Sequence, residues 1–584
     1  MYITNILVYK VYLIVNTYNE GTVITMMKKT LLIFALMLTM LCVVSCGKSA
    51  GDVKEEDVNP DMITLESALG LNEQIYLNLA KGEYVISYKK ADAEEYTVLD
   101  KELMLENGEM LDCYILGLAK GLYDVKIEQG EGDSYARKII YDIDVEKQDR
   151  SGYAHFKNEE GIGGYNDDGT VKENAKILYV SNATKNTVTI DINGTTYTGL
   201  IEILKANQQM NEPLIIRVLD KITTNQWKTE TEAPRADDYS TVAEGYFENL
   251  FSDKQGENLA GLPVTIYSSK MKKVYNYVTT ADGIELVQEV DEETPYDLGQ
   301  ANIVLIESAS NITIEGVGSK AEFYQFGIGF NYSDSIEIKN ITFSSYPIDG
   351  IEFYAFGKVD QHGRYWIHHN TFKAGKNLWD EDSDYDEAID MADVRNVTIA
   401  YNKFYKIDKT MLLGGWEYDA CMNMTFHHNF YMLCGQRLPL SRNSNIHNYN
   451  NLYADCTRGL SPRTSTYVFG EANYFDGVSE AYYISGTETW GVIKSFGEIY
   501  RGSGTADALI KVTERDAIVE NTCMPDEKTD YSKFDTDPEL FYYDAENKRS
   551  DVEILHEAKD VLDFVPKYAG AGILERMNFP TDAE

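Results

Sequence analysis

Tyr365-Trp-Ile367-His-His-Asn370-Thr-Phe372 sets the rhythm of this chain. Two apolar residues alternate, an asparagine follows three places later, and an aromatic residue closes the unit. The same order returns in Val397-Thr-Ile399-Ala-Tyr-Asn402-Lys-Phe404 and in Met424-Thr-Phe426-His-His-Asn429-Phe-Tyr431. Looser copies are Ile446-His-Asn448-Tyr-Asn-Asn451-Leu-Tyr453 and Val468-Phe-Gly470-Glu-Ala-Asn473-Tyr-Phe475. An earlier one, Ile336-Glu-Ile338-Lys-Asn-Ile341-Thr-Phe343, has Ile341 at the asparagine position. The asparagines advance by 32, 27, 22 and 22 residues. Short strands with a polar turn residue at a period near 22 are the mark of a β-solenoid. A single coil cannot bury its apolar face, so coils stack and share one core. An inward asparagine at each corner can satisfy its own turn and bond the asparagine above. A sandwich of antiparallel hairpins would account for the strands but not for the recurring asparagine. The expectation is an all-β protein whose residues 149–584 form a right-handed single-stranded parallel β-helix. Loops inserted on the longer coils should collect on one face, where ligands bind.

Ahead of the repeat, residues 62–148 alternate with period 2, as in Glu83-Tyr-Val-Ile-Ser-Tyr and Tyr123-Asp-Val-Lys-Ile. Gly117-Leu-Ala-Lys-Gly-Leu-Tyr123 places a glycine turn before a tyrosine that opens a strand, and resembles the tyrosine corner of a fibronectin type III-like β-sandwich. At the start, Lys28 and Lys29 precede an apolar run from Leu31 to Val44 that ends in Val43-Val44-Ser45-Cys46. A basic stretch, a short apolar run and small residues describe an export signal, too short to span a membrane comfortably. The ending resembles a bacterial lipobox, which implies lipidation of Cys46 as the mature N-terminus. Residues 1–46 are then leader and signal, with translation starting at Met26 or Met27, and 47–61 an acidic tether. The implied location is the bacterial cell envelope, lipid-anchored or secreted.

Acids number 94 and bases 53, a net charge of −41, which argues against nucleic-acid binding and against adsorption to anionic lipid. Membrane contact is therefore expected only through the lipid anchor, and the chain is expected to be a monomer. There is no CxxC pair for a structural zinc site. Cys421, Cys434 and Cys456 could stack or pair, and spacing does not decide between these.

Chemistry-bearing residues fall on successive units. Trp379-Asp380-Glu-Asp382-Ser-Asp384-Tyr-Asp386-Glu387-Ala-Ile-Asp390 alternates aspartates, an oxygen-rich composition suited to calcium, but lacks the glycine and glutamate offsets of an EF-hand. Most of this loop reads as a solvated acidic surface. Asp386 and Asp390 differ because they enter a strand, and Asp349 enters a corresponding strand one coil earlier. Stacking could bring the three carboxylates to one face. The next coils carry Asp408-Lys409-Thr-Met-Leu-Leu-Gly414 and Gln436-Arg437-Leu-Pro-Leu-Ser-Arg442. Fixed cations beside a calcium site suit a polyanionic sugar acid, whose carboxylate an arginine can hold with a forked pair of hydrogen bonds.

Six of these segments, in order and through Asn450-Asn451-Leu-Tyr453, resemble polysaccharide lyase family 1, the pectate lyases. The strong motifs span about 350–475, and weaker similarity extends over about 150–545. The resemblance implies a calcium-dependent lyase that cleaves α-1,4-linked polygalacturonate by β-elimination in pectin degradation. It implies Ca2+ held by Asp349, Asp386 and Asp390, substrate bound by Lys409 and Arg442, and Arg437 as general base. One departure is His368, where the family usually has aspartate in Trp-Ile-Asp-His. The alternatives are a pectin lyase acting on methylated substrate, and a surface lipoprotein that binds pectic oligosaccharides without cleaving them.

Overall fold

The computed structural model describes residues 55–210, 212–223, 303–373, 387–484, 491–515 and 554–573, apart from 325, 345, 347, 348, 417 and 506–508. Of 263–291 it describes the strands alone. Residues 61–584 form one compact unit and residues 1–60 another, of which only 55–60 are described.

Between Leu65 and Val145 the strands pair antiparallel in two sheets of four. Ile75, Leu77, Val125 and Ile127 alternate inward and are fully buried between them. The Tyr123 hydroxyl donates to the Ala119 carbonyl four residues upstream at 3.0 Å, which fastens the turn that the glycines open.

From Lys176 onward the pairing changes. Three parallel sheets of eleven, nine and eight strands run side by side, and each complete coil supplies one strand to each. The first sheet begins at Lys176–Val180 and includes Gly363–His368, Val394–Ala400 and Cys421–His427. The second includes Thr371–Lys373, Lys403–Tyr405 and Phe430–Met432. The third includes Ile351–Tyr354, Ile389–Ala392, Met411–Leu413 and Leu440–Ser441. This is the parallel β-helix that the repeat predicts.

Each repeated residue type has its own column in the stack. The Asn402 Oδ1 accepts from the Asn370 backbone N–H at 2.9 Å, and the Asn402 Nδ2 donates to the Ile367 carbonyl at 2.8 Å. Asn429, Asn451 and Asn473 continue the ladder, and Asn370 accepts from the Ile341 N–H, so Ile341 does occupy the asparagine position. The ladder satisfies buried corner groups that no strand reaches. Two residues on, Phe343, Phe372, Phe404, Tyr431, Tyr453, Phe475 and Tyr500 stack at centroid spacings of 4.6 to 5.1 Å. That spacing follows from the rise between paired strands.

Cys421, Cys434 and Cys456 are buried free thiols. Cys434 and Cys456 occupy equivalent corners, each Sγ between a carbonyl of the preceding coil and one of its own: Phe404 at 3.5 Å and Met432 at 3.6 Å for Cys434, Tyr431 at 3.6 Å and Ala454 at 3.4 Å for Cys456.

Among the described residues, three segments pack against the solenoid. The helix Leu200–Ala206 adds Leu200, Ile203, Leu204 and Ala206 to the core beside Ile303–Glu307, the edge strand of the third sheet. The helix Ala558–Tyr568 packs Val561 and Val565 on Leu452 and Tyr474 outside the second sheet. The segment 149–165 lies along the outer face of the first sheet. There the Tyr153 and Ala154 N–H groups donate to the Thr425 and Thr398 hydroxyls at 3.0 and 3.1 Å. Gly152 is required at this approach, since φ is +116° and a Cβ would lie 2.3 Å from the Thr398 Oγ1.

Candidate active site

The third sheet gathers the residues singled out for chemistry. Phe353, Met391 and Leu413 point into the core and are fully buried, so Glu352, Asp390 and Leu412, which alternate with them, face outward. Glu352 and Asp390 are direct cross-strand partners, and Asp390 pairs in turn with Leu412. Asp349 lies just before the first of these strands, and its Oδ1 accepts the Glu387 backbone N–H at 2.5 Å. The Asp390 Oδ2 accepts the Tyr354 hydroxyl at 2.7 Å. Burial and then the Asp390 charge push the Tyr354 phenol well above its usual range, so it stays a donor. Asp386 and Cys46 lie outside the described residues.

The cations follow on the next two coils. Lys409 forms a parallel bridge with Gln436, which sets it beside the Arg437 coil. Arg437 and Arg442 bracket the short strand Leu440–Ser441. Arg442 is buried, and its Nη1 donates to the Gly414 carbonyl at 2.8 Å. Arg437 has a left-handed backbone, φ +60°, and its guanidinium makes an ion pair with Glu387. The Glu387 side chain is 1% exposed and that of Arg437 24%.

Three residues here were not singled out from the sequence. Glu387 looked like one more acid of a solvated loop, yet it is buried against Arg437. Glu352 could have been found by aligning Ile351-Glu352-Phe353 with Ile389-Asp390-Met391, since one register serves both. Trp416 is 67% exposed on the loop that leaves Met411–Leu413, and the Gly414 carbonyl of the same loop holds Arg442.

His368, the departure from the aspartate of the motif, is fully buried on the first sheet, away from these carboxylates. It stacks on Trp366 at 3.7 Å, and its Nε2 lies 3.2 Å from Glu337. Burial holds its pKa well below the ordinary histidine range, so the neutral ring donates Nε2–H to that carboxylate. The adjustment is local and lies outside the third sheet.

Residues 266–499 match the family described as pectate lyase. They are a pectate lyase family domain. Pectate lyase 2 of Pectobacterium carotovorum is 31% identical over 223 residues, 36% of this chain and 59% of that protein. Pectate lyase C of Dickeya chrysanthemi is 31% identical over 176 residues, 29% of this chain and 46% of that protein. The chain thus spans about half the length of these curated relatives. The crystal structure of a pectate lyase from Bacillus sp. N165 in complex with trigalacturonate covers 73% of this chain and 99% of its own, at 18% identity and a TM-score of 0.43. The pectate lyase domain includes every acidic and basic residue assembled above.

Proposed function

We propose that this chain is a calcium-dependent pectate lyase that cleaves polygalacturonate by β-elimination. The observation that supports it most is the sequence of side chains along the third sheet. Asp349 and Asp390 on two coils are followed by Lys409, Arg437 and Arg442 on the next two, within a pectate lyase domain. Carboxylate oxygens of Asp349, Glu352 and Asp390 are the hard donors that calcium takes, and in this reading Asp386 joins them. Calcium, when bound, neutralises the uronate carboxylate and acts as a Lewis acid.

The chain's own residues do the rest. Arg442, fixed through Gly414, docks a substrate carboxylate, and Lys409 meets the negative charge that develops on the uronate as C5–H breaks. Arg437, after its guanidinium gives one proton to solvent, takes the C5 proton as a neutral guanidine. The C–H electron pair becomes the C4–C5 double bond, the C4–O bond breaks, and the leaving oxygen is protonated from water. Trp416 offers a ring face to a neighbouring sugar. Glu387 orients Arg437, but a carboxylate beside a guanidinium also favours its protonated form. That contact is what a binding-only protein would retain, and it makes the assay decisive.

On polygalacturonate, ultraviolet absorbance of unsaturated product should rise with calcium and stop with chelator. Product formation undiminished in chelator, or none in either condition, would reject the reading. The lipobox resemblance further supports an envelope protein anchored through Cys46, with the small antiparallel domain as a spacer. Mass spectrometry of a mature N-terminus without an acyl chain would reject that part.

A further inference from the structure

The outer face of the first sheet, buried under segment 149–165, is lined with ionisable groups. Nearly every carboxylate there meets a cation. Glu315 contacts Arg217 and Lys339, Glu337 contacts Lys339, Glu73 contacts Arg150, and Glu471 contacts Arg515. Asp149 is the exception. It is 2% exposed, and among the described residues its only ion-pair contact is with the imidazole of His427, Nδ1 to Oδ2 at 3.9 Å.

A second imidazole joins this pair. His428 has φ +53°, which breaks strand alternation and turns its ring to the same side as its neighbour. The two Nδ1 atoms lie 2.9 Å apart, and one ligand atom from each of Asp149, His427 and His428 falls within 4.8 Å of the others. All three residues are buried. Their outer atoms are held as metal ligands usually are. The His427 Nε2 lies 3.3 Å from the Ser151 carbonyl, so it carries the proton and leaves the Nδ1 lone pair facing Asp149. The His428 Nε2 lies 2.9 Å from the His556 Nδ1, a partner on the covering C-terminal segment. The other Asp149 oxygen accepts from the Ser151 N–H at 3.0 Å and from its hydroxyl at 2.5 Å.

We propose that Asp149, His427 and His428 bind one divalent cation of the zinc class, as a structural clamp separate from the third-sheet site. Two imidazoles and one carboxylate suit zinc, or cobalt in its place, far better than calcium. Zinc–ligand bonds of 2.0–2.1 Å put tetrahedral neighbours about 3.3 Å apart; the His427–His428 and His427–Asp149 edges are 2.9 and 3.9 Å, and the third lies within 4.8 Å, so the Asp149 carboxylate closes inward on the cation. The fourth position falls to water or to the Tyr401 hydroxyl, which donates to the Asp149 Oδ2 at 2.9 Å. The cation balances the buried carboxylate. It also ties the strap that leaves the antiparallel domain to the coil that begins at Cys421, and through His428 to the C-terminal segment. Binding so deep belongs to folding rather than to later exchange.

The test uses the full chain without a histidine tag, expressed with added zinc and passed through gel filtration. Elemental analysis should give about one zinc per chain, with calcium read independently in the same run. Cobalt-substituted protein should show the visible bands of a tetrahedral site, and His428→Gln should abolish them. Ser151→Ala removes one hydrogen bond to Asp149 and leaves the ligands in place. It should weaken zinc about 10–100-fold in competition with a chromophoric chelator, whether or not His428→Gln folds. Wild-type protein with no zinc above the buffer blank would overturn the proposal and leave a hydrogen-bonded string of histidines. Unchanged zinc affinity in both variants would overturn it equally.

Discussion

Truncating one rung of the asparagine ladder should loosen three coils and no more. Asn402 is fully buried. Its Oδ1 takes the Asn370 N–H at 2.9 Å, and its Nδ2 serves the Ile367 carbonyl at 2.8 Å and the Asn429 Oδ1 at 3.1 Å. Asn402→Ala strips the Asn370 N–H and the Ile367 carbonyl of these partners, while Asn429 keeps the Asn402 backbone N–H at 3.0 Å. A buried polar group left unmet costs about 1–3 kcal/mol, so the pair costs about 2–6 kcal/mol. At about 1.36 kcal/mol per tenfold, local opening becomes about 30-fold to about 10⁴-fold more frequent. Amide hydrogen exchange followed by mass spectrometry reads this directly. Peptides covering 365–372, 397–404 and 424–431 should lose protection, and those near 310–316 should not, because stacked coils couple mainly to neighbours. A change under about threefold, or equal loss in every coil, would refute the reasoning.

The remaining predictions concern the site and the buried face. Arg437→Lys should lower kcat by about 10²–10⁴ while KM stays near wild type, since lysine keeps the charge but not the geometry of a positioned base. A raised KM with kcat preserved would mean that Arg437 only binds. Glu387→Gln removes the carboxylate that favours a charged guanidinium, so the acid limb of the kcat–pH profile should move to lower pH. An unmoved limb would deny Arg437 the role of proton acceptor. Trp416→Ala should raise KM about tenfold, from about 1.5 kcal/mol of lost ring contact, with kcat unchanged. His155 is buried with neither ring nitrogen hydrogen-bonded, and burial, then Arg150, holds its pKa well below the ordinary value. The unfolded chain therefore takes up a proton below about pH 6.5 that the folded chain refuses, and stability falls as pH drops, by up to about 1.36 kcal/mol per unit. His155→Phe should remove that loss, so its advantage in unfolding midpoint should widen between about pH 7 and about pH 5; a constant gap would count against it.

How much of this could be read in advance depended on distance along the chain. The coil repeats its demands every few tens of residues, so Asn370, Asn402 and Asn429 were legible as a column, and Phe372, Phe404 and Tyr431 as another. Even Ile341 was placed correctly, because the rhythm around it survives without the asparagine. The acidic and basic residues of the third sheet were legible as types on successive coils. Their contacts were not. Glu387 meets Arg437 fifty positions on, and Ser151 meets His427 at a separation of 276. No local pattern encodes such meetings, since the loops between coils set which side chains face one another. The cysteines show the same limit. Equivalent corners place Cys434 and Cys456 close together, yet both stay free thiols with backbone carbonyls in reach, and spacing alone could not choose between that and a bond.

A tube of stacked coils has no natural reason to stop growing. Each terminal strand offers a row of backbone groups shaped to receive another strand, and the core behind it is open to the same addition. The short helix Leu200–Ala206 interrupts that logic beside Ile303–Glu307. It lays Leu200, Ile203 and Leu204 on the open core in a conformation that no incoming strand can continue. Its four buried side chains thus act as a stopper against end-to-end polymerisation. Weakening the stopper would be felt as fibres before it was felt as unfolding.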